Sequence, residues 1–150
     1  MYQSYPCDYS LPAEWSPQSG IMLTWPHGGT DWKPYLRQIT DTYLELSEII
    51  TRYEHLLVAT PILESTRRML ASRLSPEQMN RVHLYEIESN DTWARDHGPI
   101  TLVSKHCRNG FIVPIHLLDF RFNGWGEKFA WQKDNAINLQ LYYQGAFQAA

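Results

Sequence analysis

Short apolar runs alternate with longer amphipathic stretches along the first half of the chain. Residues 20–26 (GIMLTWP) form a continuous apolar run between turn residues, the signature of a buried strand. A glycine-containing loop (HGGTDWKP) follows, with Asp31 placed to cap a helix and Pro34 suited to its first turn. Leu36, Ile39, Tyr43, Leu46, Ile50 and Tyr53 then recur at spacings of three and four, which predicts one face of a helix of about five turns. Residues 56–60 read as a second apolar strand. Pro61 opens a shorter helix carrying Leu63, Arg67 and Leu70, and Ser75-Pro76-Glu77-Gln78 has the form of a capping box. Strand, helix, strand, helix in this order predicts a βαβ arrangement with parallel pairing.

The second half changes character. Residues 81–87 alternate as a strand, and 100–104 and 111–115 flank a loop ending in Asn109-Gly110, which signals a hairpin. In LDFRFN the apolar Leu118, Phe120 and Phe122 alternate with Asp119, Arg121 and Asn123, predicting a half-buried strand. A glycine-punctuated loop (NGWGEK) leads to a helix over 134–143, with Asp134 as its expected cap.

Composition narrows the function classes. The 150 residues suit about one domain, and 13 Lys and Arg against 16 Asp and Glu give a formal charge of -3. Without a basic run to displace counterions, nucleic acid is not an expected partner. No stretch of about 18 apolar residues and no leader-like N-terminus occurs, so a membrane is not expected either, and a cytoplasmic location is. Cys7 and Cys107 lie far apart without Cys-x-x-Cys spacing, which fits free thiols in a reducing compartment. Cys107 sits between His106 and Arg108, but a loop tip holds reactive geometry poorly. His97, His106, Cys107 and His116 do not follow paired metal-ligand spacing, so no metal is expected, and His27 and His97 read as polar turn residues. Phosphate-binding glycine loops and a serine elbow are both missing from the sequence.

Residues 90–100 (NDTWARDHGPI) concentrate the candidate chemistry. Trp93 carries a large apolar surface beside Arg95 and Asp96, groups that are costly to bury unpaired. A planar cation would resolve that conflict: a carboxylate can accept two parallel N–H bonds from a guanidinium, and an indole face attracts the cation. The alternative is a core tryptophan, with Asp96 capping a turn or pairing with Arg95 or Arg121.

Three stretches in order, residues 11–27 (LPAEWSPQSGIMLTWPH), 90–100 and 118–135 (LDFRFNGWGEKFAWQKDN), resemble the agmatine deiminase family, which includes the bacterial type of peptidylarginine deiminase. The resemblance implies an α/β fold, the pentein α/β propeller, of which this chain would hold about the first two of five ββαβ-like modules. It implies cofactor-free hydrolysis of a guanidinium C–N bond through a cysteine thiolate, with carboxylates holding the guanidinium and a histidine moving protons. Carried onto this chain, Asp96 becomes a catalytic, guanidinium-holding carboxylate and Trp93 a wall of the substrate site. Asn123, Trp125 and Lys128 match the family's Asn-x-Trp-Gly-x-Lys loop, while Glu127 stands where the family usually has glycine. Agmatine, converted to N-carbamoylputrescine and ammonia, is the expected substrate ahead of protein-bound arginine because no secretion signal is seen. Family members are more than twice as long, and neither cysteine occupies the nucleophile's place. Residues 1–150 are therefore expected to be the N-terminal portion of one deiminase domain, inactive alone and open to homo-oligomerisation. A non-catalytic guanidinium-binding module is the rival expectation.

Overall fold

The structure, a computed structural model, describes residues 9–104 and 115–147. In chain order these hold strands β1 (Tyr9–Ser10) and β2 (Gly20–Thr24), helix α1 (Leu36–Ile50), β3 (His55–Thr60), α2 (Leu63–Arg73), the short α3 (Pro76–Met79), β4 (Val82–Glu86) and α4 (Ala94–His97). Then come β5 (Ile100–Ser104), β6 (Ile115–Leu118) and α5 (Ile137–Tyr143). Strands β2, β3 and β4 form a parallel sheet in that order, and β1, β5 and β6 form an antiparallel one. The fold is mixed α/β, and the described residues close no barrel or ring.

The parallel half follows the sequence pattern because β3 is covered on both faces. Leu56 and Val58 point into one cluster with Trp25, Leu70 and Leu74, against which Tyr43 and Ile50 of α1 pack. Alternate residues Leu57 and Ala59 face a second cluster with Ile87, Ile137 and Leu141. A strand buried on both faces reads as a continuous apolar run, which is how residues 56–60 present themselves. Ser75 and Gln78 form the expected capping box, each side chain accepting from the other's backbone N–H at 3.2 Å.

Several expectations need correction. Leu46 is 40% exposed and Tyr53, beyond the end of α1, is 78% exposed. With 3.6 residues per turn, the position below Tyr43 is Ser47, fully buried, whose hydroxyl donates to the Tyr43 carbonyl at 2.7 Å. Neither α1 nor the 3-10 turn before it, Lys33–Tyr35, is capped by a side chain, so Asp31 is no cap. The partner of β5 is β6, with Val103 opposite Ile115 and Ile100 opposite Leu118, so the expected 111–115 strand overlaps it only at Ile115. Asn109-Gly110 lies outside the described residues.

Strand pairing also ends at Leu118 despite the alternation that continues to Phe122, and Phe120 is 64% exposed. Side chains replace the ladder there: Phe122 N–H donates to Asn135 Oδ1 at 2.8 Å, and Asp119 Oδ1 accepts from Asn138 Nδ2 at 2.7 Å. Asp134 opens a 3-10 turn (Asp134–Ala136) ahead of α5 but caps neither.

Candidate functional site

In parallel α/β sheets, ligands bind outside the carboxyl ends of the strands. Here those ends feed two segments: β2 runs into Trp25, Pro26 and His27, and β4 runs through Ile87 into residues 88–97. The second segment is the polar stretch around Trp93, and a set of short hydrogen bonds holds it. The Asp134 carboxylate, 4% exposed, accepts the backbone N–H of Asn90 at 2.6 Å and of Asp91 at 3.2 Å through Oδ1. The Asn90 side chain returns the contact by accepting from Lys133 N–H at 2.9 Å. Lys133 Nζ also lies 2.8 Å from Glu88 Oε2, an exposed pair of small energetic weight.

Trp93 ends up 58% exposed, so it is no core tryptophan. Its orientation is set by a bond from Nε1 to Asp91 Oδ2 at 3.1 Å and by Trp32, whose ring centroid lies 6.1 Å away. Trp32 is itself held by donation to Thr92 Oγ1 at 2.9 Å. Asp96, three residues on in α4, is half-buried and accepts from Trp125 Nε1 at 3.2 Å through Oδ2. No partner for its Oδ1 occurs among the described residues. The structure thus brings Trp93, Asp96 and Trp125 to one place and adds Trp32 and Asp91, which sequence reasoning did not single out. Asp91 was visible within the quoted stretch, whereas nothing in the sequence links Trp32 to a segment 60 residues away.

The two histidines expected in turns have structural posts. His97 is only 4% exposed; its Nε2 meets Thr24 Oγ1 at 3.2 Å and its carbonyl accepts from Asn138 Nδ2 at 2.6 Å. Burial pushes its pKa down to about 4, so the ring is neutral at pH 7 and ties α4 to β2. His27 shares a hydrogen bond with Ser89 at 3.1 Å, and partial burial lowers its pKa. Burial acts oppositely on Asp91 and Asp134, raising both above the usual carboxylate range. No group of three or more possible metal ligands occurs among the described residues, and Cys7, His106 and Cys107 lie outside them.

The loop carrying Trp125 has unusual backbone. Gly124, Trp125, Gly126 and Glu127 have φ of 63°, 59°, 76° and 64°, one turn in the left-handed region. Glycine accepts that region freely, whereas an L-residue there is strained. Asn123 holds the turn, its Oδ1 accepting from Gly126 N–H at 3.0 Å. Gly124 cannot be enlarged, since a Cβ would stand 2.4 Å from the Phe129 carbonyl. Lys128 lies over the Phe129 ring at 5.3 Å. Of the three loop residues expected near the site, Trp125 touches Asp96, Asn123 shapes the backbone, and Lys128 turns to Phe129.

Glu127 is exposed, so replacing it with glycine removes strain and little else. Relief of about 1–2 kcal/mol, less about 0.5–1 kcal/mol for glycine's extra freedom when unfolded, predicts a net gain of about 0.5–1 kcal/mol for Glu127→Gly. Urea denaturation should show a higher midpoint at unchanged slope.

A shallow hollow of about 290 Å³ lies beside α4, lined by Met22, Ala94, Arg95, Gly98, Pro99 and Ile100. Its one charged group is Arg95, which disfavours a cation there. None of Trp93, Asp96 and Trp125 lines it.

This architecture has known counterparts. The family model of Porphyromonas-type peptidyl-arginine deiminase matches residues 10–149, and the chain belongs to that family. A Shewanella baltica (strain OS185) protein assigned as an agmatine deiminase is 27% identical over 146 residues, covering 93% of this chain and 36% of that protein. The solved structure of a C. jejuni agmatine deiminase variant with substrate bound is similar at a TM-score of 0.79 and 30% identity, covering 95% of this chain and 38% of the other. An agmatine deiminase of Enterococcus faecalis shares the fold at a TM-score of 0.72 and 23% identity, over 91% of this chain and 36% of the other. The chain therefore spans little more than a third of the length of these relatives.

Proposed function

We propose that this chain supplies the guanidinium-holding wall of a deiminase that hydrolyses agmatine to N-carbamoylputrescine and ammonia. The carrying observation is the juxtaposition of a half-exposed Trp93 with Asp96, whose Oδ1 has no partner among the described residues. In this reading Asp96 accepts two N–H bonds of the guanidinium, and the indole of Trp93 faces the planar cation. Trp125 fixes the Asp96 carboxylate from the other side, so the acceptor is oriented before substrate arrives. The pentein propeller is the architecture we assign to the whole enzyme, with this chain forming its first modules. Family membership and the C. jejuni neighbour support the reading.

Tryptophan emission of the 150-residue chain reports directly on the wall. Agmatine should quench it saturably, and N-acetylarginine amide, a mimic of peptidyl arginine, should do so more weakly. Putrescine has the same amine end but no guanidinium and should leave emission unchanged. Equal responses to putrescine and agmatine, or none to either, would overturn the assignment; a stronger response to the arginine mimic would shift it to protein-bound arginine.

A further inference from the structure

At the opposite end of the parallel sheet, where β3 and β4 begin, two histidines face each other. His55 opens β3 and His83 is the second residue of β4, and the register pairs Leu57 with His83. Side chains alternate along a strand, so His55 and Leu57 share a face, and His83 joins them there on the neighbouring strand. The two rings lie at 5.1 Å between centroids and 40° between planes, with His55 Nδ1 only 3.0 Å from His83 Nε2. Both residues are exposed. With β4 running five residues at about 3.3 Å each, the pair stands roughly 15 Å from the segment that carries Asp96, so the proposed deiminase chemistry has no use for it.

Two imidazole nitrogens at this separation suit one metal ion. At a metal–nitrogen distance of about 2.0–2.1 Å and tetrahedral angles, two histidine ligands stand roughly 3.3 Å apart, a few tenths of an ångström from the spacing already present. The residues sit on adjacent hydrogen-bonded strands, so the backbone fixes their separation and little order must be created on binding. Imidazole selects ions of the zinc, nickel and copper class over magnesium and calcium, which prefer oxygen. No third protein ligand joins the pair among the described residues, so water would fill the remaining positions.

We infer that His55 and His83 form a two-ligand site for a divalent transition metal, Zn²⁺, Ni²⁺ or Cu²⁺, clipping β3 to β4. In the metal-free pair one ring nitrogen donates to the other. On binding, that proton moves to the far nitrogen of its own ring, so both facing lone pairs become available and the neutral pair loses no proton. The ion joins neighbouring strands in the folded state only, so it also stabilises the fold in proportion to its occupancy.

Copper and zinc test this on the full 150-residue chain. One equivalent of Cu²⁺ should give an electron paramagnetic resonance spectrum with two coordinating nitrogens, reduced to one in His55→Ala and in His83→Ala, with affinity at least tenfold weaker in each. Zinc should raise the melting temperature of the wild type, reversibly with chelator, and should do so far less in either variant. His116→Ala, an exposed histidine of β6, should behave as wild type. Circular dichroism of the two alanine variants checks that they remain folded, and the less perturbing His83→Gln should show the same loss. Equal metal-induced stabilisation in wild type and variants, or an unchanged copper spectrum in both, would overturn the site.

Discussion

Asp96→Asn should weaken agmatine binding about 10- to 100-fold, the equivalent of losing about 1.5–3 kcal/mol from a hydrogen bond to a charged group. The substitution keeps shape and volume but changes the pattern of donors. A carboxylate offers acceptors only, whereas the amide turns one of its two positions into an N–H₂ group that meets the guanidinium donor to donor. The ion pair is lost with the same change. Trp125 provides the internal control: its Nε1 bonds Asp96 Oδ2 and can still bond an amide oxygen, so the local fold should survive with an unchanged unfolding midpoint. Binding by isothermal calorimetry together with urea unfolding separates the two effects. Binding within threefold of wild type would return Asp96 to a purely structural role. In any longer form of the protein that turns over agmatine, the same variant should lose most of its activity.

How much of this was legible in the sequence depended on how local its cause is. The parallel sheet was readable because residues 56–59 of β3 are apolar on both faces, and the capping box because its two partners are three residues apart. The alternation through Phe122 misled because alternation records which residues prefer burial, not whether a neighbouring strand is there to pair with. Beyond Leu118 the Phe122 N–H is satisfied by Asn135, and nothing in LDFRFN reports that. On α1 the expected stripe ran through Leu46, but Ser47 is the buried residue, and it can be so because its hydroxyl returns its hydrogen bond to the helix itself. The site divides in the same way. Trp93 and Asp96 stand out within one short stretch, but Trp125 reaches Asp96 across 29 residues and Trp32 reaches Thr92 across 60. Such contacts exist only once the β4 exit, the loop after Trp25 and the 123–128 turn have been brought together.

Asp134 illustrates the last point and carries the second large effect. By position it looked like a helix cap, yet its carboxylate leaves its own helix uncapped and accepts the N–H groups of Asn90 and Asp91. Asp134→Ala removes the acceptor from two half-buried donors at once. Each unsatisfied donor costs about 1–3 kcal/mol, so a loss of about 2–4 kcal/mol is expected, allowing for partial relaxation. The same change should loosen residues 90–93 and with them Trp93, so agmatine quenching should weaken even at temperatures where the variant is fully folded. Asp134→Asn separates the acceptor from the charge, because the amide oxygen still accepts both bonds while the cost of burying an ionised group vanishes. Its stability should therefore lie within about 1 kcal/mol of wild type at pH 7. The pH dependence gives an independent reading. Burial raises the Asp134 carboxyl above its unfolded value, so the native state binds the proton more tightly and this group makes stability fall as pH rises from the ordinary carboxylate range through the raised value. Asp134→Asn should remove that component of the slope. Denaturant midpoints measured from pH 4 to pH 8 decide it: a slope unchanged in Asp134→Asn would show that burial does not raise this carboxyl, and an alanine variant as stable as wild type would show that Asn90 and Asp91 are held by something other than it.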